Sequence, residues 1–209
     1  MPKQVDHDAR RRQIAEALWR IASRGGLEAA SLNQVAAEAG VSKGMVQHYF
    51  QTRDDILVFA SQLLQARVEQ RVNRSLAAES SRASPRAVLR AVLRGLLPTD
   101  DDSRTEMLVA SAFFVRALGQ PALAARYRDG QRLILDAIGG LIRQAQEAGE
   151  LIAPLDVARE AEVLLSVVES LGSALLLGRH TRKTAQGLID HQLAHLTSSR
   201  RLARRRASP

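Results

Sequence analysis

Apolar residues recur three and four positions apart along almost the whole chain, and the alternation that marks a half-buried strand is absent. Ile14, Leu18, Ile21 and Ala22 open this pattern, and Ala161, Leu164, Leu165, Val168, Leu171 and Leu175 close a broad stripe of the same period. Ala, Leu, Arg and Glu dominate, and only 6 prolines interrupt 209 residues. An all-α fold is expected. The length suffices for a core without covalent staples, and the absence of cysteine excludes disulfides, thiolate chemistry and cysteine-ligated metals.

Punctuation sets the helices. The first runs from about Asp8 to Arg24 and stops at Gly25 and Gly26; Ser31 caps a short second helix that Gly40 ends; Ser42 caps a short third that carries Met45, Val46, Tyr49 and Phe50 as its apolar repeat. A long fourth helix starts near Thr52, with Asp54 and Asp55 in its first turn, where the helix dipole favours acids. Ser80 to Pro85 reads as a linker. Beyond it, segments 88–97, 106–118, 121–148, 154–177 and 184–196 bring the expected total to nine helices. Three parts are expected: 1–52, 53–197 and a basic, disordered tail over 198–209.

Charge is unevenly placed. Of a formal +8, the last twelve residues hold +5, through Arg200, Arg201, Arg204, Arg205 and Arg206 with no acid among them. Such a tail attracts polyanions by counterion release, so a non-specific DNA-binding or scaffolding protein driven by it is the competing reading. The longest apolar runs, such as Ser173 to Gly178, fall far short of the roughly 20 residues that a bilayer span needs. No membrane partner is expected, and with no apolar stretch near the N-terminus the expected location is cytoplasmic.

Two short helices joined through Gly40, Val41 and Ser42, behind one longer helix, have the layout of a helix-turn-helix. Gly40 supplies the positive φ of the sharp turn, Val41 fills the angle between the helices, and Ser42 caps the second while leaving its amides near a phosphate. Gly44 leaves room for a close backbone approach. Lys43, Gln47 and His48 lie away from Val46 and Phe50 and are placed to reach base edges or phosphates, with Tyr49 beside the DNA backbone.

The segment SLNQVAAEAGVSKGMVQHYFQTRDDIL resembles the helix-turn-helix of TetR-family transcriptional repressors over about residues 10–60. The resemblance implies a homodimer that binds a pseudo-palindromic operator in double-stranded DNA, and is released by a small molecule bound in the C-terminal domain. It adds Ser31 as a phosphate contact, Asn33 as a base or backbone contact, and Arg53 as a phosphate contact at the next helix start. The family often has Tyr where Gln47 stands and Lys where Arg53 stands. The stretch LIRQAQEAGELIAPLDVAREAEVLLSVVESLG is similar to the BetI-like subgroup, whose last two long helices pack into a four-helix dimer interface. That assigns Leu164, Val168, Leu171, Leu175, Leu188, Ile189, Leu193 and Leu196 to dimerisation.

Phe113, Phe114, Arg116, Tyr127 and Gln131 supply aromatic and polar groups for an effector pocket, and Glu169 joins them as a carboxylate inside an apolar stripe. His191 and His195 stand four residues apart, as metal-binding pairs do, but no further ligand accompanies them in sequence; no metal site and no cofactor are expected. No glycine-rich phosphate loop, HExxH motif, nucleophile elbow or cysteine nucleophile is present, so no catalytic residue is assigned and an enzyme is not expected.

Overall fold

The computed structural model describes residues 2–25, 30–78 and 83–197. Among these there are nine α-helices and no strand. They are α1 (Pro2–Gly25), α2 (Leu32–Ala39), α3 (Lys43–Tyr49), α4 (Arg53–Ala78), α5 (Pro85–Gly95), α6 (Asp101–Leu118), α7 (Pro121–Glu147), α8 (Val157–Leu176) and α9 (Arg182–His195). The all-α fold is as expected, although α1 starts six residues earlier than its apolar pattern suggests. The arginine-rich tail, and linker residues 79–82, lie outside the described residues.

By packing the helices form two compact units. The first comprises Met1–Val68 and Asp100–Gly130, the second Glu69–Thr99 and Gln131–Pro209. The linear boundary expected after residue 52 coincides with the start of α4, whereas packing groups the first part of α4, all of α6 and the start of α7 with the N-terminal helices.

In the first unit Ile14, Leu18 and Trp19 of α1 meet Val35, Val46, Phe50, Ile56, Val109 and Phe113 in one core. Each such side chain, removed from water, contributes about 1.5–3 kcal/mol. The Arg67 guanidinium lies over the Trp19 ring at 4.4 Å and bonds Glu16 at 2.8 Å, so an aliphatic stem and a cation close the core edge where water would otherwise enter.

In the second unit Leu89 and Leu93 of α5, Ile138 and Ile142 of α7, Leu164 and Val168 of α8 and Ile189 and Leu193 of α9 form the core. Arg94 pairs with Asp190 to tie α5 to α9, and Arg71 Nε donates to the Gly95 carbonyl at 2.7 Å, closing the end of α5.

Candidate nucleic-acid interface

The reading head begins with a cap. Ser31 Oγ accepts the Gln34 amide, and the Gln34 side chain accepts from the Ser31 amide at 2.9 Å, a reciprocal capping box that starts α2. At its other end Gly40 sits at φ 66°, its N–H bonded to Ala37 O at 3.1 Å while Val41 N–H reaches Ala36 O at 3.0 Å. This pair of bonds is the Schellman ending, and only the glycine accepts that conformation without steric cost. The chain therefore turns sharply into α3. Outside the turn, Glu38 accepts from Arg20 Nε at 2.7 Å and also from Arg24, which fixes α2 against α1; these arginine hydrogen bonds hold the Glu38 carboxyl below its ordinary pKa.

At seven residues α3 is too short to persist alone. Ser42 Oγ accepts the Met45 amide at 3.1 Å, Phe50 N–H closes the far end on Val46 O at 2.9 Å, and fully buried Val46 with Phe50 pins one face to the core. The opposite face carries Lys43, Gln47 and His48, all exposed. These are a cation, an amide with paired donor and acceptor, and an imidazole, the groups that read base edges or grip phosphate.

Each residue expected at this interface has a definite place. Asn33 is exposed on α2, and Arg53 is half-buried at the start of α4. Ser31 is exposed, but its hydroxyl donates to Gln34 Oε1 at 2.7 Å as well as accepting, so the donors left for a phosphate at this end are the first amides of α2. Among the described residues Ser42 Oγ accepts from the Met45 amide, and its hydroxyl hydrogen is not taken up by another of them. A Cβ on Gly44 would meet nothing closer than Ser42 Oγ at 3.9 Å, so internal packing does not demand glycine there. Tyr49 is half-buried, its ring 5.0 Å from His48 and 5.3 Å from His7 on α1.

Two features escape the sequence pattern. Met45, placed by its spacing with the apolar repeat, is 39% exposed, because a helix this short turns only Val46 fully inward. Its side chain therefore reaches the surface of α3. Beside Tyr49 runs an open groove of about 480 Å³, walled by Arg11, Asp55, Phe59 and Arg126, with the Arg11 guanidinium 4.4 Å from the Phe59 ring centre. Neither arginine carried a sequence signal, since the groove joins residues more than a hundred positions apart.

Residues 14–58 match the family model for bacterial regulatory proteins of the tetR family, and residues 85–198 match that for the BetI-type transcriptional repressor C-terminal domain. The chain belongs to the TetR family. Its N-terminal domain is the DNA-binding domain of a transcriptional regulator. It is 36% identical over 177 residues to the HTH-type transcriptional regulator PksA of Bacillus subtilis, a match covering 85% of this chain and 83% of that protein. A transcriptional regulator from Rhodococcus sp. Rha1 superposes with a TM-score of 0.78 at 29% identity, over 89% of this chain and 95% of that one. A transcriptional regulator from Saccharomonospora viridis, solved in complex with choline, shares the fold at a TM-score of 0.77 and 24% identity, over 88% and 95% of the two chains.

In this TetR-family chain the expected effector residues are divided between the two compact units. Phe113, Phe114, Arg116 and Tyr127 belong to the first unit, Gln131 and Glu169 to the second. Phe113 is 5% exposed, a core residue, with Tyr127 and exposed Phe114 beside it; the Tyr127 ring centre lies 6.1 Å from Phe113 and 5.4 Å from Phe114. Arg116 is turned to Asp54. Glu169 is on the exposed side of α8, not within the buried stripe, and accepts from Gln131 Nε2 at 3.1 Å, so its carboxylate needs no cavity to stay charged.

The residues assigned to dimerisation lie mostly in the interior of the second unit. Leu164, Val168, Leu171, Leu175, Ile189, Leu193 and Leu196 are buried in the subunit's own second-unit core, while Leu188 is exposed and Leu171 also borders the surface depression described next. A residue covered by its own chain offers little area to a partner. The outward side of the same two helices instead carries Val163 and Leu188, each 39% exposed, around an open depression of about 560 Å³ that Ser166, Ser170, His191 and Gln192 also line. Among the described residues no helix is long and apolar enough to cross a membrane.

Proposed function

We propose that this TetR-family regulator is a homodimeric repressor that reads a pseudo-palindromic operator in double-stranded DNA and leaves it when a small molecule binds its C-terminal domain. One observation carries the reading. Lys43, Gln47 and His48 stand exposed on one face of α3 while Val46 anchors the other, so the helix presents a fixed set of donors and acceptors to a major groove. Ser42, Gly44, Tyr49 and Arg53, with Asn33 and the first amides of α2, hold the duplex backbone around it. Residues 1–52 are the DNA-binding part, and 53–197 carry ligand binding and dimerisation.

A single α3 spans too few base pairs for specificity, which is the physical reason for two copies spaced by about 34 Å, one helical turn. The outward α8 and α9 face around Val163 and Leu188 is the surface for that pairing. The effector is a small molecule whose affinity differs between the DNA-competent and released forms, since equal affinity for both shifts nothing. The choline bound by the Saccharomonospora viridis regulator, with the Phe113, Phe114 and Tyr127 rings here, makes quaternary ammonium compounds the first class to test.

Footprinting of the tag-free protein on DNA upstream of its own gene tests the reading. Protection of a two-fold symmetric site, weakened by an effector found through thermal shift, is the expected result; protection with no sequence preference overturns it. Deletion of Arg200 to Pro209 separates the tail-driven alternative. The regulator keeps its preference for the operator over random DNA and loses salt-sensitive background affinity, whereas a tail-driven binder loses nearly all binding.

A further inference from the structure

Arg11 of α1 is half-buried, its guanidinium stacked 4.4 Å from the Phe59 ring centre and 5.2 Å from that of Phe50. Stacking covers the flat faces of the cation and engages none of its N–H donors. Its Nε–H is shut off from solvent with no acceptor, and among the described residues no carboxylate pairs with it. A half-buried cation in this state is short of acceptors, and a buried donor left unpaired is costly.

Arg11 lines the groove of about 480 Å³ beside Tyr49, whose walls all belong to the first compact unit. Arg126, exposed near the start of α7, lines it as well, again with no carboxylate partner among the described residues. Asp55 is the acid on this wall. Its Oδ2 accepts the Thr52 amide at 2.8 Å while its own amide donates to Thr52 Oγ1 at 3.1 Å, so that carboxylate is occupied in starting α4. Two guanidiniums against one carboxylate leave the groove positive. Phe59 and Val58 add apolar wall, Gln51 and Gln62 add amides, and the space is that of a small-molecule site, more than a bare inorganic anion fills.

We propose that this groove is a second ligand site, for a small organic phosphate whose phosphoryl oxygens accept from Arg11 and Arg126. A phosphate monoester carries a charge of about −1.5 to −2 at pH 7 and three acceptor oxygens, so it can serve two guanidinium forks from different helices, whereas a carboxylate has two oxygens and matches one fork. The organic part lies along Phe59 and Val58. The site shares no residue with the effector region around Phe113, Phe114 and Tyr127, and it is tested without DNA, so its failure leaves the operator reading standing.

Phenyl phosphate is the probe, titrated into full-length, tag-free, nitrogen-15-labelled protein at constant ionic strength while the arginine Nε–H resonances are followed. Saturable shifts of the Arg11 signal are expected, with an affinity above that of inorganic phosphate and of benzoate. Arg126→Ala, which removes an exposed side chain, should weaken phenyl phosphate roughly tenfold with thermal melting unchanged. Arg11→Lys keeps the charge but loses the fork, and should weaken it similarly. Shifts that sodium chloride reproduces, benzoate bound as tightly as phenyl phosphate, or wild-type affinity in Arg126→Ala each overturn the proposal. A titration without response overturns it too, and if Arg126→Ala then lowers affinity for duplex DNA, the groove holds the DNA backbone instead.

Discussion

Arg116 near the end of α6 faces Asp54 in the first turn of α4, with Nε 3.4 Å from Oδ1 and Nη2 3.3 Å from Oδ2. Gln120 Nε2 adds a bond to Asp54 Oδ2 at 2.8 Å. The helix that directly follows the reading head is thereby clamped to α6 within the same compact unit. Burial pushes the Asp54 carboxyl up, but the Gln120 amide, Arg116 and nearby Arg53 outweigh it and hold its pKa below the ordinary value.

A depressed folded-state pKa means stability that is fully present above the unfolded-state value, near 4, and lost as pH falls through the lower folded one. Arg116→Ala should therefore cost about 1 kcal/mol at pH 7, and the gap from wild type should close as the pH drops below the carboxylate range. Denaturant unfolding across that range measures it. A gap of constant size would show that the pair contributes packing and no charge.

Gly44 separates the demands of folding from those of DNA. Because a Cβ there makes only an ordinary contact with Ser42 Oγ and α3 gains helix propensity, Gly44→Ala should raise stability by about 0.5–1 kcal/mol. At the backbone contact proposed for this position the same methyl would crowd the duplex, so operator affinity should fall roughly tenfold. Unfolding and fluorescence anisotropy on one preparation give both numbers, and unchanged affinity would move the DNA away from this end of α3.

Tyr49 and Gln47 are expected to fail differently. Tyr49→Phe removes one hydroxyl beside the backbone and should weaken all duplexes alike, whereas Gln47→Ala should change the ranking of operator variants, with each altered base contact worth about 1–3 kcal/mol. Binding to a panel of single-base operator variants distinguishes them. Equal losses from both substitutions on every duplex would contradict these assignments.

The two sides of α8 and α9 should separate in the same way. Leu164, 1% exposed, should cost about 2–5 kcal/mol when replaced by Ala, with no direct effect on association. Leu188→Glu places a charge on the outward face and should leave the melting of the subunit near wild type while dissociating the dimer. Sedimentation at several concentrations decides. A Leu188→Glu protein that remains dimeric would place the pairing surface elsewhere.

How much of this was legible depends on distance along the chain. Gly40, Ser31 and Ser42 act through bonds within five residues, so their caps and turn follow from local chemistry. The apolar period of α8 was equally plain, but a helix packed on its own subunit and one packed on a partner share that period, so it could not say that Leu164 and Val168 pack within their own subunit. For Glu169 too the period leaves the outcome open: one step of 100° separates the buried stripe from the solvent side. The Arg116 bond to Asp54 spans 62 residues, and the rings of His7 and Tyr49 meet only after α1 has folded onto α3; no periodicity encodes either.

The outward face of α3 is the centre of the account, and the affinity ratio between a selected operator and a scrambled duplex of equal length, at physiological salt, tests it most directly. The wild type should prefer the operator by about a thousandfold or more, and simultaneous replacement of Lys43, Gln47 and His48 by alanine should collapse that ratio toward one with the melting temperature preserved. A triple variant that keeps the wild-type ratio would show that specificity resides elsewhere in the chain.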